Sequence, residues 1–367
     1  DFYLFDEPEN IWRKFGGPTF NDTEFVPGKG YAIVFDSDGS CVFTGTTGTK
    51  LNTGIINMDL TRTAGSGSEG FNLVGNPYPS PFSNADFVTA NSSSIEGTLY
   101  YWSQKPDWDN REDNYSYWNV VGTVGNGLQS PDDYTAVGQA FMVTALADNT
   151  PLTFSNSMRA TGDPVYLKEY TAFPRLWLCV TDKDYRYNET LIAFLEGATL
   201  GFDNAYDARK LNEGGLLIST WCQEETDLGL AIQSLPPIGY EPLTITIDFS
   251  AQVAGLHEIK LKHLDNWDPV VSIILEDRET GKFYDLLEES ECSVTIMEPG
   301  NYNDRFLIHF NASIDSDKTY VEEDVLIYSF DSDIYVKYLK HGLLQGELEI
   351  YNVLGQLIHQ ERILQSD

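Results

Sequence analysis

The sequence predicts an all-β protein made of tandem β-sandwich domains, and three observations lead to that prediction. Short runs of alternating apolar and polar residues recur along the chain, and its 30 glycines and 16 prolines are spread between them. Tyrosine (21 residues) and phenylalanine (20 residues) dominate the aromatic share and favour strands. Runs with helical periodicity are nearly absent, and the stretch 205–211 (AYDARKL) is the best candidate for a helical turn.

Length and charge restrict the classes of function. A chain of 367 residues exceeds what one hydrophobic core usually serves, so about two to four domains are expected. The formal net charge is −33, from 56 acidic and 23 basic residues, which disfavours nucleic acid and anionic membranes as partners. No run of about 20 apolar residues predicts a transmembrane segment. The sequence starts and stops within its strand pattern and shows no signal peptide, so we expect a fragment of a longer protein.

The first predicted domain spans residues 1–164 and contains an internal echo. Residues 26–45 and 136–156 both place a glycine before an alternating strand that an aromatic residue opens, followed by a polar turn and a second strand. The offset is about 110 residues. The echo indicates either a duplicated hairpin or two hairpins that obey the same turn chemistry.

A proline-rich corner, NPYPSP (76–81), follows a short predicted strand at 71–75. Each of its three prolines lacks an N–H, so no sheet ladder can continue through the segment. The corner is therefore predicted to be structural. Tyr78, between two of the prolines, is expected to pack inward or to bond the backbone rather than to contact a ligand.

The second predicted domain, 165–311, begins after Gly162 and Pro164 interrupt the pattern. Nine alternating runs separated by turn signals predict a β-sandwich of jelly-roll or immunoglobulin-like kind. The last domain, 312–367, holds three alternating stretches, at 324–330, 333–339 and 346–363. The nine runs of the sandwich are 175–180, 189–195, 215–220, 228–235, 243–249, 257–263, 271–277, 293–297 and 305–310.

Residues 346–358 (GELEIYNVLGQLI) run from a strand through Tyr351-Asn352 and Leu354-Gly355-Gln356 into the next strand. This pattern resembles the type A C-terminal sorting domain of Bacteroidota proteins that the type IX secretion system exports. Members of that family continue to a final Gly-x-Tyr strand, which this chain lacks, so the resemblance indicates truncation. The stretches FNLVGNPYPSP, PGKGYAI, GQAFMV and FSNSMR resemble a β-rich region of large surface proteins that carry the same domain. The stretch 194–211, together with the later stretches LAIQSLP and ILEDRETGKFYDL, resembles the sandwich that commonly precedes it.

The resemblance implies a location and partners. It implies an immunoglobulin-like sandwich for 312–367, export across the outer membrane, and a final position on the cell surface or outside the cell. The partners would be the type IX translocon and its outer-membrane carrier barrel. The sorting motif would consist of Tyr351, Asn352, Leu354, Gly355 and Gln356.

Catalytic signatures are weak in this sequence. All five histidines lie at or after His257, so residues 1–256 contain no histidine base. No G-x-S-x-G elbow is present, although a Ser-His-Asp arrangement elsewhere stays open. The four cysteines lack CxxC spacing, which disfavours zinc, and three of them leave room for one disulfide. These are Cys41, Cys179, Cys222 and Cys292, of which the first stands alone in the first half of the chain. We expect no enzyme.

The densest aromatic region, 99–118, raises the question of glycan binding. Flat rings stack on sugar faces and carboxylates bond sugar hydroxyls. The candidate glycan-binding residues are Tyr101, Trp102, Trp108 and Asp109. The alternation of the rings in this region favours the alternative, strand residues that pack a sandwich edge.

Calcium is the one cofactor that the sequence suggests. Hard oxygen ligands clustered on a loop bind this ion. Asp182, Asp184, Asn188 and Glu189 form the best set, although the spacing of a full EF-hand loop is missing. The alternative is a solvated hairpin tip.

Two functional readings follow. The first is a non-enzymatic, modular surface or secreted protein whose C-terminal domain is the sorting signal. The second is a carbohydrate-binding or adhesin module attached to a catalytic domain upstream of this fragment.

Overall fold

A computed structural model gives the fold, and residues 161–172 are among those outside its description. The described residues are nearly all strand, so the all-β prediction is confirmed. Two compact units divide the chain, Asp1–Ala312 and Ser313–Asp367. Within the first unit, residues 1–160 are named the N-terminal lobe and residues 173–311 the sandwich lobe; the predicted boundary at 164/165 stays a prediction. The described residues are 1–16, 24–34, 48, 50–103, 114–127, 130–160, 173–211, 215–222, 228–239, 241–289, 291–311, 325–330, 333–338, 344–351 and 356–365.

The N-terminal lobe contains short strands, one α-helix and one turn of 3₁₀ helix (Asn156–Met158) in its described part. The elements are β1 (Phe2–Asp6), β2 (Ile11–Lys14), β3 (Ala32–Ile33), β4 (Ile56–Leu60), β5 (Phe71–Gly75), β6 (Phe82–Ser83), α1 (Asn84–Asn91), β7 (Leu99–Trp102), β8 (Tyr115–Trp118), β9 (Thr123–Val124), β10 (Tyr134–Thr135), β11 (Ala140–Thr144) and β12 (Thr150–Phe154).

A five-stranded sheet in the order β5-β11-β7-β8-β9 forms the centre of this lobe. β11 lies between two strands that precede it in the chain. On its other side, β5 is bridged through Val74 by Lys29, and Gly30 N–H donates to Leu73 O at 3.0 Å. Residues of both copies of the predicted echo, Lys29 and Gly30 from the first and β11 from the second, therefore flank the same strand.

The helix α1 was not foreseen in the sequence. Ser83 caps it, because its hydroxyl accepts from Asp86 N–H at 3.2 Å. Phe87 and Val88 of the helix are buried in the core of the lobe, together with Phe82, and Phe87 packs edge-on to Phe141. The helix therefore contributes core residues rather than a surface.

The corner at 76–81 is structural, as predicted. Tyr78 is 2% exposed and its hydroxyl donates to Gly54 O at 2.7 Å. The Asn76 side chain accepts from Tyr78 N–H at 2.9 Å and donates to Ser80 O at 2.9 Å. Arg159 covers the tyrosine ring, 5.4 Å from its centroid. The chain thus leaves the sheet at residue 76 through a turn that its own side chains hold.

The sandwich lobe contains all nine of the predicted strands. A hairpin turn lies at 279–281, because Asp277 pairs with Lys282 and Gly281 has a φ of +68°. The strands are β13 (Arg175–Asp182), β14 (Tyr187–Phe194), β15 (Ala208–Arg209), β16 (Leu217–Trp221), β17 (Gly229–Leu235), β18 (Leu243–Ala251), β19 (Gly255–Asp265), β20 (Ile273–Asp277), β21 (Lys282–Asp285), β22 (Glu291–Ile296), β23 (Gly300–Asn301) and β24 (Phe306–Phe310).

These strands form one long sheet in the order β21-β20-β24-β18-β16-β17-β14-β13-β19-β22. β20 and β22, near opposite ends of this order, both bury side chains in the same aliphatic core, so the sheet folds over into a nearly closed sandwich. The β14–β17 pair is parallel. A parallel pair requires a long crossover, and residues 195–228 provide it.

The second unit contains two antiparallel hairpins in its described residues. The first pairs β25 (Val325–Phe330) with β26 (Asp333–Tyr338), and the second pairs β27 (Leu344–Tyr351) with β28 (Leu357–Gln365). The predicted stretches 324–330 and 333–339 each correspond to one strand. The third stretch, 346–363, contains parts of two, β27 and β28, so the described residues hold four strands where three were predicted. Within the described parts of the whole chain, no helix has the length and apolarity that crossing a membrane requires.

Candidate functional site

The candidate calcium ligands lie on and beside the β13–β14 hairpin, where they have other partners. The Asp182 carboxylate accepts from the backbone N–H groups of Asp184 and Arg186 at 2.8 and 3.0 Å, and from the Arg186 guanidinium at 2.7 Å. Asp184 pairs with the same guanidinium at 3.0 Å. A cation supplied by the chain thus stands where a metal would have to bind.

The other two candidates point away from each other, because successive strand residues face opposite sides of a sheet. Asn188 Oδ1 accepts from Lys210 Nζ at 3.0 Å. Glu189, which is 1% exposed, accepts from the Tyr187 hydroxyl and from Lys262 Nζ. Burial and the Glu189 carboxylate raise the pKa of Tyr187, so its hydroxyl stays protonated and donates. Among the described residues no group of three or more His, Cys, Asp or Glu is placed to hold a metal ion. The four residues do not converge as calcium ligands do, and calcium binding stays a prediction.

The candidate glycan-binding residues that the structure describes are divided between the core and the surface. Tyr101 is 5% exposed and its hydroxyl lies 2.7 Å from Thr135 Oγ1 inside the lobe. Trp102, the next residue, is 47% exposed and contacts Tyr115 edge-on with ring centroids 5.1 Å apart. The alternative drawn from alternation therefore fits most of the described rings of this region, and Trp102 is left as a surface ring. Trp108 and Asp109 lie outside the described residues.

A hydroxyl, an imidazole and a carboxylate meet on the outer face of the sandwich lobe, a combination that the sequence left open. His309 Nε2 lies 2.8 Å from Glu276 Oε2, and His309 Nδ1 lies 2.9 Å from Thr244 Oγ1. Hydrolysis would also require N–H donors aimed at a developing oxyanion. β24, which carries His309, is paired with β18 on one side and β20 on the other, so its own N–H groups are used in the ladder. We interpret the three residues as a cross-strand network.

The cysteines of the described part do not form the disulfide that the sequence allowed. Cys179, Cys222 and Cys292 are free and buried. Burial raises the pKa of the Cys292 thiol to about 12, and the Asp277 carboxylate adds to that shift, so the thiol is protonated and unreactive at neutral pH. Cys41 lies outside the described residues.

The most extensive polar site that sequence reasoning missed is the seam between the two lobes. Residues 202–209, here named the docking loop, lie in the β14–β17 crossover. The N-terminal lobe donates to three of its carbonyls: Gly97 N–H to Asn204 O at 2.7 Å, Thr98 Oγ1 to Asp207 O at 2.8 Å, and Asn119 Nδ2 to Tyr206 O at 2.7 Å.

An ion pair accompanies these hydrogen bonds. Arg209 lies 3.2 Å from the carboxylate of Glu96, which is 2% exposed. Burial raises the pKa of Glu96, and the Arg209 guanidinium opposes that rise. The Phe202 ring lies against the Arg209 guanidinium, and its centroid is 4.0 Å from Arg209 Cζ.

Two more hydrogen bonds lie further along the seam. Trp177 Nε1 donates to Thr123 O at 2.9 Å and Arg175 Nη1 donates to Val121 O at 2.6 Å. Most of the acceptors in the seam are backbone carbonyls, which leave no side-chain signature in a sequence.

An apolar cluster lies beneath the polar contacts and joins both lobes. The cluster consists of Tyr100, Tyr117, Val121, Val124 and Met142 with Leu191, Ala193, Ala208, Ala231 and Ile232.

Comparison with known proteins identifies the family. The model of a domain of unknown function, DUF8693, matches residues 2–310. The chain belongs to this family. No match was found among curated proteins or among solved structures.

The DUF8693 match includes both lobes and the seam between them. It ends at residue 310, and the first compact unit ends at Ala312. The sorting-motif residues lie beyond it. Tyr351 is the last residue of β27 and Gln356 is an exposed residue before β28. Asn352, Leu354 and Gly355 lie outside the described residues.

Proposed function

We propose that this chain is a non-enzymatic, modular surface or secreted protein, exported by the type IX secretion system, with residues 313–367 as its sorting signal. One observation supports the proposal most. The residues that resemble a sorting domain, 346–358, lie outside both the DUF8693 match, which ends at residue 310, and the first compact unit, which ends at Ala312. A signal that a carrier must recognise is expected to be a separate module beside the cargo.

Deletion of residues 313–367 in the producing bacterium tests the proposal. We expect the shortened protein to fold, because both lobes and the seam remain, and to stay inside the cell. Immunoblots of cell, periplasm and medium fractions measure this, with a strain that lacks the translocon as reference. A surface change in the sandwich lobe, Phe283→Ser (46% exposed), serves as the control and should be exported normally. Export of the deleted protein at the normal level would refute the sorting assignment.

The non-enzymatic part of the proposal has a separate test. If the cross-strand network at His309 were catalytic, the protein would hydrolyse activated esters and His309→Gln would abolish that hydrolysis. We expect the wild type and the variant to be equally inactive. Saturable hydrolysis that His309→Gln removes would overturn this part alone.

A glycan-binding role is a second candidate, because Trp102 is a large ring that stands 47% exposed at a strand end. Stacking of a sugar on this ring predicts that Trp102→Ala weakens retention in affinity electrophoresis on polysaccharide gels. Trp12→Ala is the matched control, since that ring is 46% exposed on a different sheet. Equal mobility of the wild type and both variants on every polysaccharide would remove this candidate.

A further inference from the structure

The docking loop is arranged to present its carbonyls outward. The Asp207 carboxylate accepts from Asp203 N–H at 2.8 Å and from Ser234 N–H at 2.6 Å, and Asp207 N–H donates to Asp203 O at 2.9 Å. The loop therefore satisfies the N–H groups of Asp203 and Asp207 internally, and β17 donates the Ser234 N–H to the Asp207 carboxylate. Its carbonyls at 204, 206 and 207 are directed to the N-terminal lobe. A loop fixed before contact loses little conformational entropy on docking.

The receptor for the loop depends on one glycine. A Cβ atom at Gly97 would lie 2.6 Å from Ala205 O, so only glycine lets the two backbones approach this closely. The hydroxyl of Thr98 and the amide of Asn119 then complete a set of three donors that matches the three carbonyls. Donors and acceptors are complementary in number and position across the seam.

The seam also has the anatomy of a stable protein–protein interface. Stable interfaces combine a fully buried apolar centre with surrounding hydrogen bonds and charge pairs. Here Tyr100, Tyr117 and Ile232 are fully buried in the cluster shared by both lobes. Glu96 and Arg209 form a charge pair beside it. Separation would expose the cluster and would leave both sets of polar groups without their partners.

We infer that the two lobes are a self-sufficient pair, held by this seam and not by the peptide connection between them, with the docking loop as the element that the N-terminal lobe recognises. The partner that fits the N-terminal lobe is a β-sandwich that presents three carbonyls from a crossover loop. This inference is independent of the proposed export, because the seam lies within DUF8693 and not in residues 313–367.

The test uses the full chain with a specific protease site inserted between residues 160 and 173. After cleavage, denaturing electrophoresis should show two pieces, while native size-exclusion chromatography should show one complex of unchanged elution volume. Pieces that elute separately from the cut wild-type chain would overturn the inference.

Variants then test the recognition element. Gly97→Val, which places a branched side chain against Ala205 O, should make the cut pieces elute separately. Gly239→Ala is the matched control, because a Cβ there meets only Glu241 N, at 4.0 Å, and its complex should survive. If the two pieces of the cleaved Gly97→Val variant stayed together, the loop would not be the recognition element.

If circular dichroism shows that the intact Gly97→Val chain does not fold, a milder substitution tests whether the docking loop is the recognition element. Thr98→Val removes the hydroxyl that donates to Asp207 O and keeps the side-chain volume. We expect it to raise the dissociation constant of the cut pieces by about fivefold to tenfold, the value of one neutral hydrogen bond. An unchanged dissociation constant would remove the loop from the recognition role.

Discussion

Among the described residues, seven of the sixteen buried in the main core of the N-terminal lobe are aromatic, whereas four of the twenty-three buried in the core of the sandwich lobe are. A large ring buries about 150–250 Å², so a few rings replace many aliphatic side chains. The rings of the N-terminal lobe come partly from outside regular strands. Tyr78 stands in the proline corner and Phe87 in α1. The sandwich instead takes its core from alternating strand positions. Stability is therefore concentrated in few residues in the first lobe and spread over many in the second.

The largest effect is expected for Tyr78→Ala, which would lose the ring, its bond to Gly54 O and its contact with Arg159. Removal of a buried aromatic ring costs about 3–5 kcal/mol of unfolding free energy. Tyr78→Phe keeps the ring and should cost only about 1 kcal/mol. Urea unfolding of both variants measures the difference. Equal losses would mean that the hydroxyl, not the ring, stabilises the corner.

In the sandwich lobe the comparable single position is polar rather than aromatic. Arg305 binds Asp277 through two hydrogen bonds of 2.8 Å, and the arginine and aspartate side chains are 5% and 1% exposed. Arg305→Met would leave a buried carboxylate unpaired and should cost about 3 kcal/mol. The double variant Asp277→Leu/Arg305→Met should recover most of that loss. If the double variant were as unstable as the single one, the pair would matter for its packing and not for its charge.

A smaller effect on stability is expected at the N-terminal cap of α1. Ser83→Ala removes the cap on Asp86 N–H and should cost about 1 kcal/mol, whereas Ser83→Gly should cost only a few tenths. Because α1 carries Phe87 into the aromatic core, the thermal midpoint of the whole lobe should fall with Ser83→Ala. A midpoint of Ser83→Ala equal to that of the wild type would show that the hydroxyl does not cap the helix.

The smallest effect concerns pH and the attachment of β1 to the rest of its lobe. Glu7 is 2% exposed and accepts from Thr63 N–H at 2.8 Å and Gly70 N–H at 2.9 Å. Burial alone would raise its pKa, but these hydrogen bonds outweigh burial and the pKa is lowered from 4.5. The stabilisation is therefore complete above about pH 4.5 and is lost as the pH falls through the lower folded-state pKa.

Glu7→Gln tests this dependence. The wild type should be more stable than the variant at pH 7, and the gap between their thermal midpoints should close on acidification. A gap that stays constant from pH 7 to about pH 3 would contradict the assignment to Glu7.

The sandwich was predictable because alternation along a strand is written in the sequence. Its nine runs match nine strands, while β15 and β23, with two residues each, are too short to produce a pattern. The helix α1 was missed for a similar reason. It has eight residues, and of its few apolar side chains only Phe87 and Val88 are buried large ones, so no helical period is visible. Its start signal, Ser83 three residues before an acidic residue, was present.

The stretch 205–211 shows how tertiary contacts override a local preference. One helical turn does form, from Asp207 N–H to Asp203 O. It ends at once, because Ala208 and Arg209 pair with β17 as β15. The seam was hidden for a different reason. Its docking-loop acceptors are backbone carbonyls, which leave no signature in a sequence, and side chains that meet there, such as Thr98 and Asn119 with the loop and Glu96 with Arg209, come from distant parts of the chain.

The position of β11 has a consequence for the order in which the chain can fold during synthesis. A ribosome makes β5, β7, β8 and β9 before β11, yet β11 is the strand that joins β5 to β7. Until residue 144 has emerged, β5 and β7 have no strand between them and their backbone groups await a partner. The five-stranded sheet therefore forms late, after most of the lobe has been synthesised, and the emergence of β11 completes that sheet.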